Sequence, residues 1–409
     1  MKFLKNYASS LILLMAILIG GFLGILLGEK AIVFEPIGNL FLNLIFTLLV
    51  PIVFFSISSS IANMESSKKL GKILVITIIV FATTAIISGI IGVISFKLFN
   101  PTNNLDSSIF NNLLNSTSSI EQENVGIIQK IVSSITVNDF SGILSRSNML
   151  ALILFSILIG FATMLSKEDG KPFAAFLQSG SIVTMKMMGL IMYIAPLGLG
   201  CYFATVVGQL GSQILGGYIK VFILYIVVSI IYFFGFFTIY AYIAGKKQGV
   251  KTFWKNATPP AVTALATCSS AACIPVNIDA AKKMGVSDTL ANIVMPLGVN
   301  IHKDGSIIGA IFKIMFLFGI FGRDTNNIET LLMILGVGLL IGAVVGAVPG
   351  GGAIGEMLIL SIFGFPAESL AIMLVIATII DAPATLLNSS GNTVCTMMIS
   401  KFMKENSNK

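Results

Sequence analysis

IIDAPATLLNSSGNTVCTMM, residues 379–398, is the stretch of this chain that decides its fold. It lies in an apolar run long enough to cross a bilayer, yet it carries polar residues spaced i, i+4, i+7 and i+11: Asp381, Thr385, Asn388 and Asn392. This spacing places all four on one stripe of an α-helix. Because a charged carboxylate inside a membrane span costs at least ~2.5 kcal/mol on insertion scales, the stripe predicts a polar cavity, a partner charge or a bound ligand beside it.

The composition of the whole chain indicates an all-α, polytopic membrane protein rather than a soluble enzyme. Of its 409 residues, 56% are hydrophobic and 11% are charged, whereas soluble domains carry about 25% charged residues. The net charge of +7 does not indicate a nucleic-acid partner, because the lysines cluster in short segments between apolar runs. By the positive-inside rule these segments, which include both termini, are predicted to be cytoplasmic, with the chain in the inner or plasma membrane.

Six apolar runs in the first part of the chain are long enough to span a bilayer. The first is too long for the core of a signal peptide and lacks a clear small-residue cleavage site, so it is predicted to be a transmembrane helix. Residues 100–146 are rich in Asn, Ser, Thr and acidic residues with a single lysine, which predicts an external loop. The predicted spans are 9–28, 38–61, 70–99, 147–165, 181–210 and 216–244.

Two later apolar segments are broken midway by very small residues, TCSSAACIP at 267–275 and GAVPGGGA at 346–353. Pro275 and Pro349 lie inside these breaks and argue for true interruption of the helix. Freed backbone groups are tolerated at that depth only where they line protein or a water-filled cavity. Paired interruptions are typical of transporters with inverted repeats, so both are predicted to be re-entrant helical hairpins. The alternative is close packing of continuous helices through small residues.

A third interruption is predicted between the hairpins, in NIVMPLGVNIHKDGSIIGAIF at 292–312. Its polar residues His302, Lys303 and Asp304 are consecutive, so on a regular helix they would point about 100° apart. Gly298 before them and Gly305 after them favour local unwinding. An unwound centre lets adjacent side chains and carbonyls converge on one small site, as at the cation sites of transporters.

At these residues the chain resembles the dicarboxylate/amino acid:cation symporter family, which includes the glutamate transporters. The shared motifs run from KLFNP at 97–101 and APLG at 195–198 through both hairpins and PLGVNIHKDGS at 296–306 to the final stripe. Within the family it is most similar to the serine/threonine:sodium branch, on SSAA…IPVN at 269–277 and D…T..LNSS at 381–390.

The resemblance implies eight transmembrane helices plus two hairpins, assembled as a homotrimer in which a mobile transport domain moves against a fixed scaffold. The implied divisions are 1–65 for scaffold helices 1 and 2, 66–146 for transport helix 3 and the external loop, 147–215 for scaffold helices 4 and 5, 216–249 for transport helix 6, and 250–409 for the transport core of hairpin 1, helix 7, hairpin 2 and helix 8.

The resemblance also implies a substrate site. Asp381 and Asn388 match residues that hold an amino group, and Thr385 matches a substrate-contacting threonine. Exposed N–H groups at broken helix ends suit an α-carboxylate, which agrees with a role for both hairpin tips. The implied substrate-binding set is Ser269, Ser270, Ser306, Val348, Gly351, Asp381, Ala384, Thr385 and Asn388.

Ala384 departs from the family, because acidic-substrate members carry an arginine there that pairs with the second carboxylate of the substrate. Without that partner, a second buried carboxylate would be left unpaired. The departure favours a small neutral amino acid such as serine, threonine or alanine. The alternative is that another cation, such as Lys303, does the same work and the substrate is acidic.

The cation site implied by the resemblance is altered as well. His302 and Lys303 stand where the family has Asn and Met, Asn392 replaces an aspartate, and Phe81 and Ala85 replace a tyrosine and a serine. One hypothesis is that Lys303 fills or neutralises a sodium site, with Glu356 as a possible counter-charge and His302 as a second proton carrier. The alternative is that sodium still binds and Lys303 extends away. The implied set is Thr84, Gly298, Asn300, His302, Lys303, Asp304, Asn388 and Asn392.

These patterns predict a secondary active symporter that imports a small neutral amino acid by elevator-type alternating access, driven by sodium or protons. A channel is disfavoured because the polar groups concentrate at one depth rather than along a path. An enzyme using Asp304, His302 and Ser306 is disfavoured because their spacing matches no nucleophile–base motif. The four cysteines show no metal-ligand spacing, and no cofactor is expected beyond the coupling cation.

Overall fold

The computed structural model describes residues 2–63, 68–103, 136–145, 148–210, 213–344, 351–366 and 369–403, and within these ranges the regular structure is entirely helical. Five of the described segments are long and apolar enough to cross a membrane. The all-α, membrane-spanning prediction is therefore confirmed, while the count of eight spanning helices stays a prediction. Most of the predicted external loop, residues 104–135, lies outside the described residues.

The first half of the chain is a series of long apolar helices with short connections. One predicted span, 181–210, is wrong, because the helix ends at Met192 and a new one begins at Ala195. Pro196 explains the break, since proline has no backbone N–H to donate to the carbonyl four residues earlier, at Met192, and its ring crowds that carbonyl. The helices are α1 (Lys2–Leu27), α2 (Glu35–Ala62), α3 (Lys68–Phe99), the short α4 (Phe140–Ile143), α5 (Met149–Leu165), α6 (Lys167–Met192) and α7 (Ala195–Leu210).

The predicted span 216–244 is part of a longer, distorted helix. It begins as α8 (Gln213–Ile231), passes through a π-helical turn at Tyr232–Phe236 and continues as α9 (Phe237–Asn256). Gly245 and Lys246 have non-helical backbone angles, which kink α9 near its middle. The π-helical turn shifts which side chains face inward, a distortion often found at functional sites.

The first predicted hairpin consists of two helices too short to span a bilayer, which takes about 20 residues. The first is formed by α10 (Thr258–Thr267, 10 residues) and α11 (Ser270–Lys283, 14 residues), which pack on each other. Cys268 turns the chain between them with a positive φ of 46°. The second joins α14 (Ile328–Val344) to α15 (Gly351–Phe363), and its tip, with Val348, lies outside the described residues.

Local unwinding at residues 302–303 is confirmed. Helix α12 (Asp288–Ile301) ends just before His302, and α13 (Asp304–Ile320) begins just after Lys303. His302 has extended backbone angles, with φ −128° and ψ 109°. Successive side chains of extended backbone point to opposite sides, so His302 and Lys303 reach different surroundings.

The last helix, α16 (Ser369–Phe402), is the centre around which the second half packs. It touches α3, α8 to α13 and α15, and its side chains from Leu387 to Ser400 are buried. Helices α1, α2, α5, α6 and α7 pack chiefly on one another and meet this second group through few contacts. The stretch that carries the polar stripe is thus the axis of the larger group.

Candidate functional site

The polar stripe of α16 meets the start of α13, where a side-chain amide binds the broken helix. Asn388 Nδ2 donates to Ser306 Oγ at 2.9 Å, and Asn388 Oδ1 accepts from the Ser306 backbone N–H at 3.1 Å. The first N–H groups of a helix have no partner within it, so this contact satisfies one of them. Two residues of the predicted substrate set therefore lie together and hold each other in place.

Gly305 brings the backbone of α13 against the backbone of α16 at Ala384. A side-chain carbon at position 305 would collide with the main chain of Ala384, so the approach requires glycine. From the other side, the Tyr225 hydroxyl on α8 donates to the Gly305 carbonyl at 2.7 Å. Ala384, which stands where the resemblance expects an arginine, is buried in this contact.

Asp381 lies at the exposed end of the polar stripe on α16. Its side chain is exposed, whereas Thr385 and Asn388 are each 5% exposed. Among the described residues, Lys313, Glu356 and Lys303 carry charges within electrostatic range of Asp381. An open carboxylate beside two lysines can bind a ligand's ammonium directly, or leave the lysines to bind a ligand's carboxylate.

His302 lies at the centre of a second, fully buried polar cluster with Thr84, Asp304 and Asn392. Its Nε2 lies 2.7 Å from Thr84 Oγ1, and its Nδ1 lies 2.8 Å from Asn392 Oδ1. Nε2 is also 3.2 Å from Asp304 Oδ1, an electrostatic contact without hydrogen-bond geometry. Phe81 stacks on the imidazole with ring centroids 4.3 Å apart. Helices α3, α13 and α16 are joined through this one ring.

The cluster does not fit a sodium ion at the position of the imidazole. A hard cation needs several oxygen ligands, and the oxygens of Thr84, Asp304 and Asn392 already surround the ring. The side chain that fills this position is His302, not Lys303, which lies instead under the influence of Asp381.

Of the other members of the predicted cation set, Gly298 borders the histidine cluster, where a side-chain carbon would collide with Asn392 Oδ1, and the rest lie elsewhere. The Gly298 carbonyl accepts from the His302 backbone N–H at 2.9 Å. The Asn300 amide donates to the Pro296 carbonyl in its own helix at 2.9 Å. Asn388 faces Ser306. The structure thus separates the predicted cation residues into a histidine cluster and a substrate-side group.

Three tyrosines that the sequence analysis missed line the inner face of the distorted helix α8–α9. Tyr232 donates to Asp304 Oδ2 at 3.1 Å and lies 3.1 Å from the hydroxyl of Tyr240, while Tyr225 holds Gly305. Their spacing of seven and eight residues places them on one helical face. That spacing was the available signal, but in an apolar run aromatic residues usually indicate packing.

The first hairpin is fixed to the stripe, and its tip is capped from within. Ser269 is the N-cap of α11 and accepts from the Ala272 backbone N–H at 3.3 Å, while Ser270 begins that helix half-buried. Further along α11, Asn277 Nδ2 donates to Ser389 Oγ at 2.9 Å. Of the predicted second-hairpin residues, Gly351 begins α15, and Val348 lies outside the described residues.

A chain with broken helices packed around one polar helix has a match among known protein families. The family model described as "Sodium:dicarboxylate symporter family" matches residues 10–402. The chain belongs to the sodium:dicarboxylate symporter family. As a member of that family it is an integral membrane protein of a group made of transporters, not enzymes. The predicted family resemblance is confirmed.

Several curated relatives cover nearly the whole symporter chain at moderate identity. It is 27% identical over 402 residues to the "Proton/sodium-glutamate symport protein" of Bacillus caldotenax, covering 94% of this chain and 93% of that protein. It is 26% identical over 406 residues to the "Proton/glutamate-aspartate symporter" of Bacillus subtilis (strain 168), covering 96% and 94%. It is 27% identical over 412 residues to "C4-dicarboxylate transport protein 2" of Pseudomonas paraeruginosa, covering 96% and 90%. The narrower serine/threonine branch stays a prediction.

Proposed function

We propose that this family member is a secondary active transporter that takes up a small dicarboxylate or acidic amino acid, driven by a cation gradient. The single observation that carries the proposal is the presence of two buried lysines, Lys303 and Lys313, within electrostatic range of Asp381. These lysines supply the positive charge that an arginine at the position of Ala384 provides in the acidic-substrate members that the chain resembles. The relatives' names, which refer to glutamate, aspartate and C4-dicarboxylates, favour this reading over the neutral amino acid expected from Ala384 alone.

Helix ends also support an anionic substrate. Helix α11 begins at Ser270, α13 at Asp304 and α15 at Gly351. The N-terminus of a helix carries partial positive charge and unpaired N–H groups, which favour carboxylates. At α13, Asn388 already uses the Ser306 N–H. A substrate carboxylate would therefore be held mainly by the two hairpin helices.

A small neutral amino acid remains the second candidate, and two observations favour it. Around Asp381 the charges already balance, because Lys303 and Lys313 match Asp381 and Glu356. A zwitterion adds no net charge to this set, whereas each extra carboxylate must bring a cation with it. Ala384 is the further reason, since no arginine extends from that position.

The mode of transport that we propose is movement of one helix group against the other. Its support is the packing, in which α1, α2, α5, α6 and α7 form one group and the helices around α16 form the second. This division agrees with the implied scaffold and transport domains. A homotrimer, cytoplasmic termini and inverted repeats are part of the same proposal, on the resemblance and on the lysine distribution.

The coupling cation is proposed to be a proton, with sodium as the alternative. The support is the imidazole of His302, which fills the space between Thr84, Asp304 and Asn392. The printed name of the Bacillus caldotenax relative includes both the proton and sodium, and that of the Bacillus subtilis relative includes the proton alone.

Uptake into proteoliposomes tests the proposal. The purified chain is reconstituted, and labelled succinate, L-glutamate and L-serine are supplied under separately imposed sodium and pH gradients. We expect succinate or glutamate to accumulate against its gradient, and excess unlabelled serine to leave this uptake unchanged. Accumulation of serine alone would establish the second candidate instead. Liposomes without protein, and liposomes with no ion gradient, are the controls.

A further inference from the structure

Lys313 and Glu356 form an ion pair deep within the helices of the second group. Lys313 is on α13 and Glu356 on α15, and their side chains are 8% and 0% exposed. An ion pair in such surroundings loses the hydration of both charges, which the attraction between them repays only in part. Ionisable residues within membrane segments are therefore rare and usually serve function.

Helix geometry points Lys313 towards the substrate-side group. Ser306 and Lys313 are seven residues apart, which on an α-helix is about 20° around the axis and about 10.5 Å along it. Side chains of a helix lean towards its N-terminus, so the Lys313 stem leans towards Ser306. The contacts Gly305–Ala384 and Gly309–Ile380 show that α16 runs antiparallel to α13, in a register that sets Asp381 level with Ile308. That position is five residues, or about 7.5 Å along the axis, before Lys313, on the side towards which the Lys313 stem leans.

Glu356 has an unsatisfied oxygen. Its Oε1 pairs with Lys313, but its Oε2 has no hydrogen-bond partner among the residues that the structure describes. A buried acceptor left without a donor costs free energy, more so when it is charged. The charged groups that act on this carboxylate and its surroundings are Lys313 on α13, Asp381 on α16 and Lys303 before α13.

We propose that Lys313 and Glu356 exchange partners during transport: Lys313 leaves Glu356 to hold the second carboxylate of the substrate, and Glu356 takes up one proton from water in the cavity. The only bond formed is the O–H bond on Glu356, and the only one broken is that of the donating hydronium or water. On the other side of the membrane, the substrate leaves, the proton returns to water and the pair re-forms. This inference rests on the proposed function and names the coupling residue for an acidic substrate.

Charge balance is the reason for coupling the two events. With a second substrate carboxylate beside Lys313, three carboxylates would face the ammonium groups of Lys303 and Lys313. An unpaired buried carboxylate is strongly disfavoured, so one of the three must be neutralised. Glu356 is the one that loses its partner, which makes it the acceptor of the proton.

Proton uptake on substrate binding tests the exchange. The purified full-length protein is held in weak buffer with a pH indicator, and succinate, L-glutamate or L-serine is added while binding is followed separately. We expect about one proton taken up per bound succinate or glutamate. A single linked proton changes the dissociation constant by up to about tenfold per pH unit. The Glu356→Gln variant should bind the acid without proton uptake and with a flat pH dependence.

Lys313→Met should weaken binding of succinate or glutamate by at least about tenfold, since it removes the cation that receives the second carboxylate. A matched control is the exposed pair on α11, in which Lys283 Nζ lies 2.7 Å from Asp279 Oδ2. The double variant Lys283→Met/Asp279→Asn should keep both the affinity and the proton uptake of the parent.

The outcomes separate the two proposals. If neither succinate nor glutamate binds the parent protein, the proposed function fails and the exchange fails with it. If an acid binds without proton uptake, or if Glu356→Gln retains that uptake, the exchange is overturned while the proposed function stands. Should Glu356→Gln not fold, the double variant Lys313→Met/Glu356→Gln leaves no unpaired charge between the two positions, and it must lack proton uptake for the inference to hold.

Discussion

Asn392 Oδ1 lies 2.8 Å from His302 Nδ1, which joins the last helix to the break between α12 and α13 through a single ring. On its other side the ring reaches Thr84 on α3 at 2.7 Å. Two helices distant in sequence are thus held to the unwound segment by one side chain. The same side chain fills the position where a coupling cation would be expected.

Replacement of His302 by alanine should destabilise the protein. It would leave Asn392 Oδ1 without its partner and open a space beneath Phe81. Loss of a buried hydrogen-bond partner costs about 1–3 kcal/mol, so we expect a clearly lower melting temperature in detergent. Thermal unfolding followed by intrinsic fluorescence measures this. An unchanged melting temperature would contradict the role of the ring as a link between the helices.

Replacement of Asn388 by leucine should impair substrate binding by up to about thirtyfold. The change keeps the volume of the side chain but removes both contacts with Ser306, each worth about 1 kcal/mol, and about 1.4 kcal/mol corresponds to tenfold in affinity. Binding of labelled substrate to the purified protein gives the number. Asn292→Ala is the control, because that exposed amide donates to the Asp288 carbonyl of its own helix at 2.8 Å, and the affinity of this variant should match the parent.

Tyr232→Phe removes a single hydroxyl and leaves the aromatic packing intact. Because that hydroxyl donates to the Asp304 carboxylate at 3.1 Å, its loss should cost about 1.5–3 kcal/mol, the range for hydrogen bonds to charged groups. The change in melting temperature relative to the parent reports it. Tyr193→Phe, at a position 83% exposed, serves as the comparison and should change nothing. Equal behaviour of the two variants would show that the Tyr232 hydroxyl is not used.

Gly305→Ala should be poorly tolerated, although it adds one methyl group. The new carbon would meet the main chain of Ala384, and overpacking of this kind costs about 1–3 kcal/mol. Gly336→Ala in α14 meets open space and should instead be neutral or stabilising, by up to about 1 kcal/mol. Expression level and thermal unfolding of the two variants, measured side by side, test this difference. If Gly305→Ala were as stable as the parent, the close approach of α13 and α16 would be contradicted.

Local sequence chemistry was enough to predict the interruptions of the helices. The small residues at 267–270 mark the first hairpin, and Gly298 and Gly305 flank the break at 302–303; the structure interrupts the helices within both stretches. Pro275, which was expected to lie in the first break, is instead inside α11. The break at Tyr193–Ile194 was missed because the run from 181 to 210 is largely apolar, with Lys186 as its one charged residue, and Pro196 was the main signal.

Pairings between distant residues could not be read from the chain. Lys313 and Glu356 are 43 residues apart, each alone in an apolar run, and only the packing of α13 on α15 brings them together. Likewise, sequence cannot tell which of two adjacent residues enters a cluster when the backbone between them is extended. In the structure, His302 enters the cluster with Thr84, Asp304 and Asn392, and Lys303 does not, because neighbouring side chains of this extended backbone point to opposite sides.

The two hairpins are fastened by different chemistry, and this sets how each responds to its solution. Asn277 and Ser389 tie the first to α16 through an uncharged amide–hydroxyl contact, whereas the second is held to α13 by opposite charges. Acidity changes only the latter bond. The attachment of the first hairpin to α16 is therefore independent of pH, whereas the attachment of the second hairpin to α13 depends on the charge states of Lys313 and Glu356.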